Sequence, residues 1–178
     1  MDSSEIRAVE VLLPETKEKI CRRILSDLSE WFGIPEAAED YIRGCRNKYM
    51  TALRDEDEYI GFLSLHEHNR YTAEIFVMGI LKRNRRQGLG RVLVKRCVEM
   101  LKERGFIFLT VKTLSNAHPD VNYSETRRFY TSMGFLPLEE FPGLWGKENP
   151  CLMLAKVIQM PEADIPEELN GQGDLKKI

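Results

Sequence analysis

The sequence predicts an α/β protein: one mixed sheet with helices on both faces, in the order βααβββαβαββ. Three observations carry this. Residues 73–81 (AEIFVMGIL) and 106–113 (FIFLTVKT) are apolar on both strand faces, which suits central strands covered from both sides. One helix-periodic segment lies between them, and a strand–helix–strand unit forms a right-handed crossover that leaves its two strands parallel. Two earlier strand signals, 49–54 and 59–66, are joined by an acidic turn into a hairpin.

Taken in order, residues 6–13 (IRAVEVLL) alternate as a half-buried strand, ended by Pro14. From Glu15 to Phe32, apolar Ile20, Ile24, Leu25, Leu28 and Trp31 recur at helical spacing, with Gly33 as the stop. Pro35 opens a second short helix, residues 37–45. Strands are expected over 49–54 and 59–66, joined by the acidic DEDE turn. A long helix is predicted from Gly88 to Arg104, burying Leu89, Leu93, Cys97, Met100 and Leu101, with Gly105 at its end. Residues 114–123 read as loop, and Ser124 as the cap of a short helix, 125–133, stopped by Gly134. Two final strands, 135–141 and 151–159, flank the PGLWGKENP loop. These elements form a single domain over residues 1–160, and polar, proline-punctuated residues 161–178 read as a loose tail.

Bulk properties narrow the function. The chain has 178 residues, 43% hydrophobic and 30% charged, as in an ordinary globular protein. A formal charge of −2 argues against nucleic acid as main partner. No apolar run approaches the roughly 20 residues that span a bilayer, so no membrane partner is expected. The N-terminus lacks a secretory layout, which points to the cytoplasm. Cys21, Cys45, Cys97 and Cys151 are scattered without a CxxC pair and are expected to be free buried thiols. His66, His68 and His118 give no convincing zinc set, so no metal is expected.

Basic residues crowd one place, the segment KRNRRQGLGRVLV at 82–94. It joins a buried strand to the long helix through a turn in which Gly88 and Gly90 remove side chains. A helix start directs free N–H groups and a positive dipole end into such a turn, a ready anion site suited to a diphosphate. A dinucleotide fingerprint fails because Leu93 stands where the third glycine belongs, and a P-loop fails because no GK[ST] follows. The match is R/Q-x-x-G-x-G, supplied by Arg85, Gly88 and Gly90.

With that turn, the strand before it and the later FYTSMGF, the chain resembles the GNAT superfamily of N-acetyltransferases over about residues 5–158. The resemblance implies a GNAT-like acyl-CoA N-acyltransferase fold with two splayed central parallel strands and acetyl-CoA lying between them. It implies that backbone N–H groups from Arg85 through Arg86, Gln87, Gly88, Leu89 and Gly90 to Arg91 hold the pyrophosphate. It also implies that the Ile80 N–H polarises the thioester carbonyl, with Met78 and Leu81 beside it. Gly79 already marks this strand as a bulge or close approach. Some histone-type relatives carry a general base fourteen residues before the first motif glycine, and here that residue is Glu74. By alternation Glu74 shares a face with Phe76, Met78 and Ile80, an apolar row that would raise a carboxylate's pKa toward useful basicity. The family's general acid, a tyrosine four residues before Gly-Phe, corresponds to Tyr130.

One departure stands out. Common relatives have Asn seven residues and Ala four residues before that tyrosine, whereas this chain has Tyr123 and Thr126. Asn116 or Asn122 is left as a substitute for the pantetheine contact, and HPDVNYSETRRFY resembles a less-described branch of the superfamily. The expected reaction is direct attack of a primary amine, on a small molecule or a protein, within a ternary complex. An acyl-CoA-binding sensor on the same fold is the alternative, and a nucleotide-binding regulator rests on the phosphate turn alone. Glu67, Glu139 and Glu140 are candidate attractants for a cationic amine, His118 a candidate border of the acceptor pocket, and Trp145 a candidate rim. Dimers are common in the resembled family, which leaves a homodimer open.

Overall fold

A single seven-stranded sheet organises the chain, in the order β1-β2-β3-β4-β5-β7-β6. The structure, a computed structural model, describes residues 6–160; the tail reading for 161–178 falls outside them. The elements are β1 (Arg7–Glu10), α1 (Pro14–Asp27), α2 (Pro35–Gly44), β2 (Tyr49–Asp55), β3 (Glu58–Glu67), β4 (Thr72–Ile80), α3 (Leu89–Glu103), β5 (Phe108–Leu114), α4 (Val121–Ser132), β6 (Leu136–Phe141) and β7 (Cys151–Val157). This is the predicted order. Short 3-10 turns at Cys45–Asn47 and Lys82–Asn84 join α2 to β2 and follow β4.

Boundaries differ from expectation where local chemistry overrides periodicity. Helix α1 stops at Asp27 and not near Phe32; Leu28 closes it with its N–H on the Leu25 carbonyl, and Trp31 lies in the turn beyond. Helix α4 begins at Val121, ahead of the expected cap Ser124. Asp120 caps it instead, its Oδ1 accepting from Asn122 N–H at 2.8 Å. In α3 the buried positions are Leu89, Leu93, Val94, Cys97 and Leu101, so Val94 takes the place read for Met100, which is half-buried.

Helices α1 and α2 cover one face of the sheet, and α3 covers the other. A Cβ at Gly79 would strike Ile24 of α1 and Leu28 just past its end, whereas a Cβ at Gly90 in α3 would approach Met78 of β4 and press on Phe129 of α4. Phe62, Leu63, Leu65, Leu93, Leu101, Leu109 and Phe135 are among the fully buried core side chains. Each buried aliphatic or aromatic side chain contributes about 1.5–3 kcal/mol relative to exposure. The four cysteines are free and buried, with Cys45 Sγ 3.7 Å from Cys21 Sγ. Among the described residues no helix is long and apolar enough to cross a membrane.

The central parallel pair is short. Strands β4 and β5 are in register only from Thr72↔Phe108 to Ile75↔Val111. Beyond that, β4 stays with β3 as far as Ile80↔Gly61, while β5 stays with β7 as far as Leu114↔Cys151. The sheet therefore forks between Phe76 on one side and Lys112 on the other. A register shift between β3 and β4 (Ser64↔Val77, then Leu65↔Ile75) leaves Phe76 as the extra residue of a bulge beside the fork.

Candidate active site

The fork opens into a cavity of about 900 Å³ that runs between the α1–α2 face and the start of α3. Of the residues expected at a cofactor site, Met78, Ile80, Arg85, Arg86, Gly88, Leu89, Gly90, Arg91 and Tyr130 line it. Leu81, Gln87, Asn116 and Glu74 are not among its lining residues.

At one end lies the basic turn. Arg86 and Gly88 both take positive φ, 62° and 80°. For a residue other than glycine such a conformation costs of order 1–2 kcal/mol; strain of this kind persists where surrounding structure enforces it. Gly88 occupies the N-cap of α3 with no side-chain cap. The N–H of Arg85 donates to the Lys82 carbonyl (3.2 Å) and that of Arg91 to the Gly88 carbonyl (3.0 Å). Within the expected stretch 85–91, the N–H groups left for a ligand are thereby those of 86–90, which include the first helical N–H groups with no preceding turn to serve.

The turn's arginine side chains are mostly committed to protein partners. Arg85 stacks over Trp31 at 4.3 Å. Arg86 donates to Glu125 (3.0 Å), and Arg85 lies 3.8 Å from the same carboxylate. Arg91 is tied to α4 through Ser132 Oγ at 2.8 Å. Gln87 reaches back to the Arg83 carbonyl at 3.4 Å. The uncommitted donors at this turn are thus chiefly backbone N–H groups, with Gly90 keeping the wall against Phe129 open: a Cβ there would sit 3.2 Å from the ring.

Along β4, the Leu81 N–H donates to the Ile60 carbonyl across the β3 edge (2.9 Å), so it is not available to a ligand. By strand alternation the Ile80 N–H points the other way, into the fork. The predicted apolar row on one face of β4 is divided by the bulge. Phe76 packs edge to face on Tyr41 of α2 (5.3 Å), whereas Met78 approaches α3. Glu74 is 7% exposed; its Oε2 meets His68 Nε2 at 2.9 Å and Lys112 Nζ at 2.5 Å. The carboxylate sits in a polar cluster and not in the apolar row that alternation suggested.

Tyr130 lines the cavity from α4, packed edge to face between Phe129 (5.2 Å) and Phe135 (5.4 Å). Burial, and secondarily Tyr41, push its phenol well above the ordinary range. Tyr123, at the position of the family's asparagine, also lines the cavity and donates to the Trp31 carbonyl at 2.8 Å, tying α4 to the α1–α2 turn. Burial raises its phenol to about 12. Asn116 lies apart, in a shallow depression with Ser124 and Arg127, and the Asn122 N–H serves the helix cap.

His66 and His68 share a strand edge, ring to ring at 4.6 Å, and burial with the charges of His68 and Lys48 lowers the His66 pKa. His118 Nδ1 accepts from the Asp120 N–H. Among the described residues no group of three His, Cys, Asp or Glu side chains could hold a metal. Sequence reasoning missed Lys112, Tyr41, Phe32 and Glu125 as wall residues. A lysine inside a strand read as buried was the one available signal; the others carry no motif.

Comparison with known proteins agrees with this geometry. The acetyltransferase (GNAT) family profile matches residues 18–135. The aminoglycoside 6'-N-acetyltransferase from Enterococcus faecium superposes with a TM-score of 0.68 at 19% identity, covering 89% of this chain and 99% of its own. The ribosomal-protein-S18-alanine N-acetyltransferase from Escherichia coli gives 0.67 at 17% identity, over 90% and 99%. A GNAT family acetyltransferase from Elizabethkingia anophelis, solved with acetyl-CoA bound, gives 0.61 at 15%, over 87% and 99%. No curated protein matches the chain in sequence. With a profile that spans well over half its length, the chain belongs to the acetyltransferase (GNAT) family.

Proposed function

We propose that the protein transfers an acetyl group from acetyl-CoA to a primary amine by direct attack within a ternary complex. The observation that carries this reading is the continuity of one cavity. It joins a backbone anion nest at 86–90, the inward N–H of Ile80 and the buried phenol of Tyr130. The nest fits a diphosphate by its N–H donors, the helix dipole and the open wall at Gly90.

When bound, acetyl-CoA supplies the activated thioester. Residues 86–90 fix its diphosphate, while Met78 and Ile80 flank the chain that reaches into the fork. The Ile80 N–H is a donor held in advance where negative charge develops on the carbonyl oxygen. Tyr130, kept neutral by burial, gives its proton to the departing sulfur. For Glu74, both close contacts fall on Oε2, which leaves Oε1 to receive the acceptor's proton through water.

The deciding experiment has two stages: calorimetric titration with acetyl-CoA, then free-thiol release over a broad amine panel. Saturable binding with amine-dependent thiol release is expected. Absence of saturable binding rejects the cofactor assignment, and binding without turnover of any amine favours an acyl-CoA sensor.

A further inference from the structure

The α1–α2 end of the cavity is walled by aromatic rings. Phe32 and Tyr41 meet edge to face at 5.8 Å, Tyr41 and Phe76 at 5.3 Å. Trp145, from the loop between β6 and β7, adds a partly exposed ring to the same lining. The turn and α3 accommodate an anion at the other end, so this wall is what an acceptor meets.

Its carboxylates are already engaged. At this wall Asp40 pairs with Arg43 at 2.7 Å; outside the lining Glu74 meets His68 and Lys112, and at the turn end Glu125 pairs with Arg86 at 3.0 Å. Cations also stand at the wall: Lys112, paired with Glu74, lines the cavity, and Lys48 Nζ lies 4.4 Å from the centre of the Phe76 ring. A polyamine or aminoglycoside would bring several ammonium groups to this end, where the lining carboxylate, Asp40, is already paired. A single amine on an aromatic body fits better. Its ring has edge-to-face partners, and the nearby Lys48 charge disfavours the ammonium form that cannot attack.

We infer that the acceptor is an arylalkyl monoamine, which the Phe32–Tyr41–Phe76 wall and Trp145 select over polycations. The inference rests on the acetyltransferase reading and names the substrate class for the same site. In the reaction the amine lone pair forms the C–N bond to the acetyl carbon. The C–S bond breaks, its electron pair leaving on sulfur, which is protonated to the thiol. The nitrogen releases one proton, through water, to Glu74 Oε1, and Tyr130 recovers from solvent the proton it gives to sulfur.

The test compares 2-phenylethylamine, spermidine and kanamycin as acceptors in the thiol-release assay, with acetyl-CoA affinity measured separately by calorimetry. The expected result is kcat/KM for 2-phenylethylamine about tenfold or more above both polycations. Trp145→Ala, in an exposed loop and little able to disturb folding, should raise KM for 2-phenylethylamine about three- to tenfold without moving the acetyl-CoA Kd. Phe76→Ala should do the same more strongly. Preference for spermidine or kanamycin overturns the inference. So does tight acetyl-CoA binding without turnover of 2-phenylethylamine, or a Trp145→Ala enzyme with unchanged KM. Failure to bind acetyl-CoA removes the underlying reading, and the inference with it.

Discussion

The two ends of the cavity are made from different materials. At the turn, the working groups are backbone: N–H donors of residues 86–90, a left-handed Gly88 and a Gly90 whose missing side chain clears the wall. At the α1–α2 end they are side chains drawn from separate segments: Phe32, Tyr41, Phe76 and Trp145. A backbone site needs glycines at fixed offsets between a buried strand and a helix, so its spacing is written in consecutive residues. A side-chain wall needs only rings of suitable size brought together by tertiary packing. In the proposed function the first end takes a cofactor shared across a family, and the second is free to set the acceptor of one member.

Tyr130 belongs to neither end but to the junction, and its replacement should have the largest effect. Tyr130→Phe keeps the ring packed between Phe129 and Phe135 while removing the only proton it can give. The expected loss in kcat is about 10²- to 10⁴-fold, with acetyl-CoA Kd unchanged. Stopped-flow and steady-state rates, in a regime where chemistry limits turnover, check it; an unaltered kcat rejects the acid role.

Next in size is Gly90→Val, which separates the two ends directly. The added Cβ sits 3.2 Å from the Phe129 ring, so the valine methyls intrude on the cleft between α3 and α4. Acetyl-CoA Kd is expected to rise about tenfold or more, a cost of about 1.4 kcal/mol or greater. Acceptor KM at saturating cofactor should stay near its starting value. Equal losses at both ends would mean that the backbone-built and side-chain-built regions are not independent.

What was legible follows the same division. The element order was readable because period-2 and helical patterns are local, and the forked central pair was expected only through the family resemblance that the glycine-bearing turn carries. Narrowing of the anion stretch was not, because the Arg85 and Arg91 N–H groups are consumed by carbonyls only the folded turn presents. Nor was the setting of Glu74. Alternation assigned it an apolar row, but the bulge at Phe76 resets the strand's faces, and Lys112, 38 residues away, arrives across the parallel pair. Tyr41 and Phe32 had no spacing to announce them. Their role depends on where α2 docks, which is a property of the whole core.

Glu125 offers the finest test of the comparison, because its carboxylate occupies the arginines at the anion end. It lies 3.0 Å from Arg86 and 3.8 Å from Arg85, and a diphosphate arriving at residues 86–90 meets that negative charge at close range. The pairs are largely solvent-exposed, so their separation costs little, within about 0–1 kcal/mol. Glu125→Gln should free the two guanidinium groups for the ligand and tighten acetyl-CoA binding about two- to fivefold at low salt. The gain should shrink as added salt screens the charges. A tightening that vanishes with salt assigns the arginines an electrostatic share in binding. Unchanged affinity at every ionic strength would leave the backbone nest alone responsible, and the turn end would then owe its grip entirely to the geometry that its glycines permit.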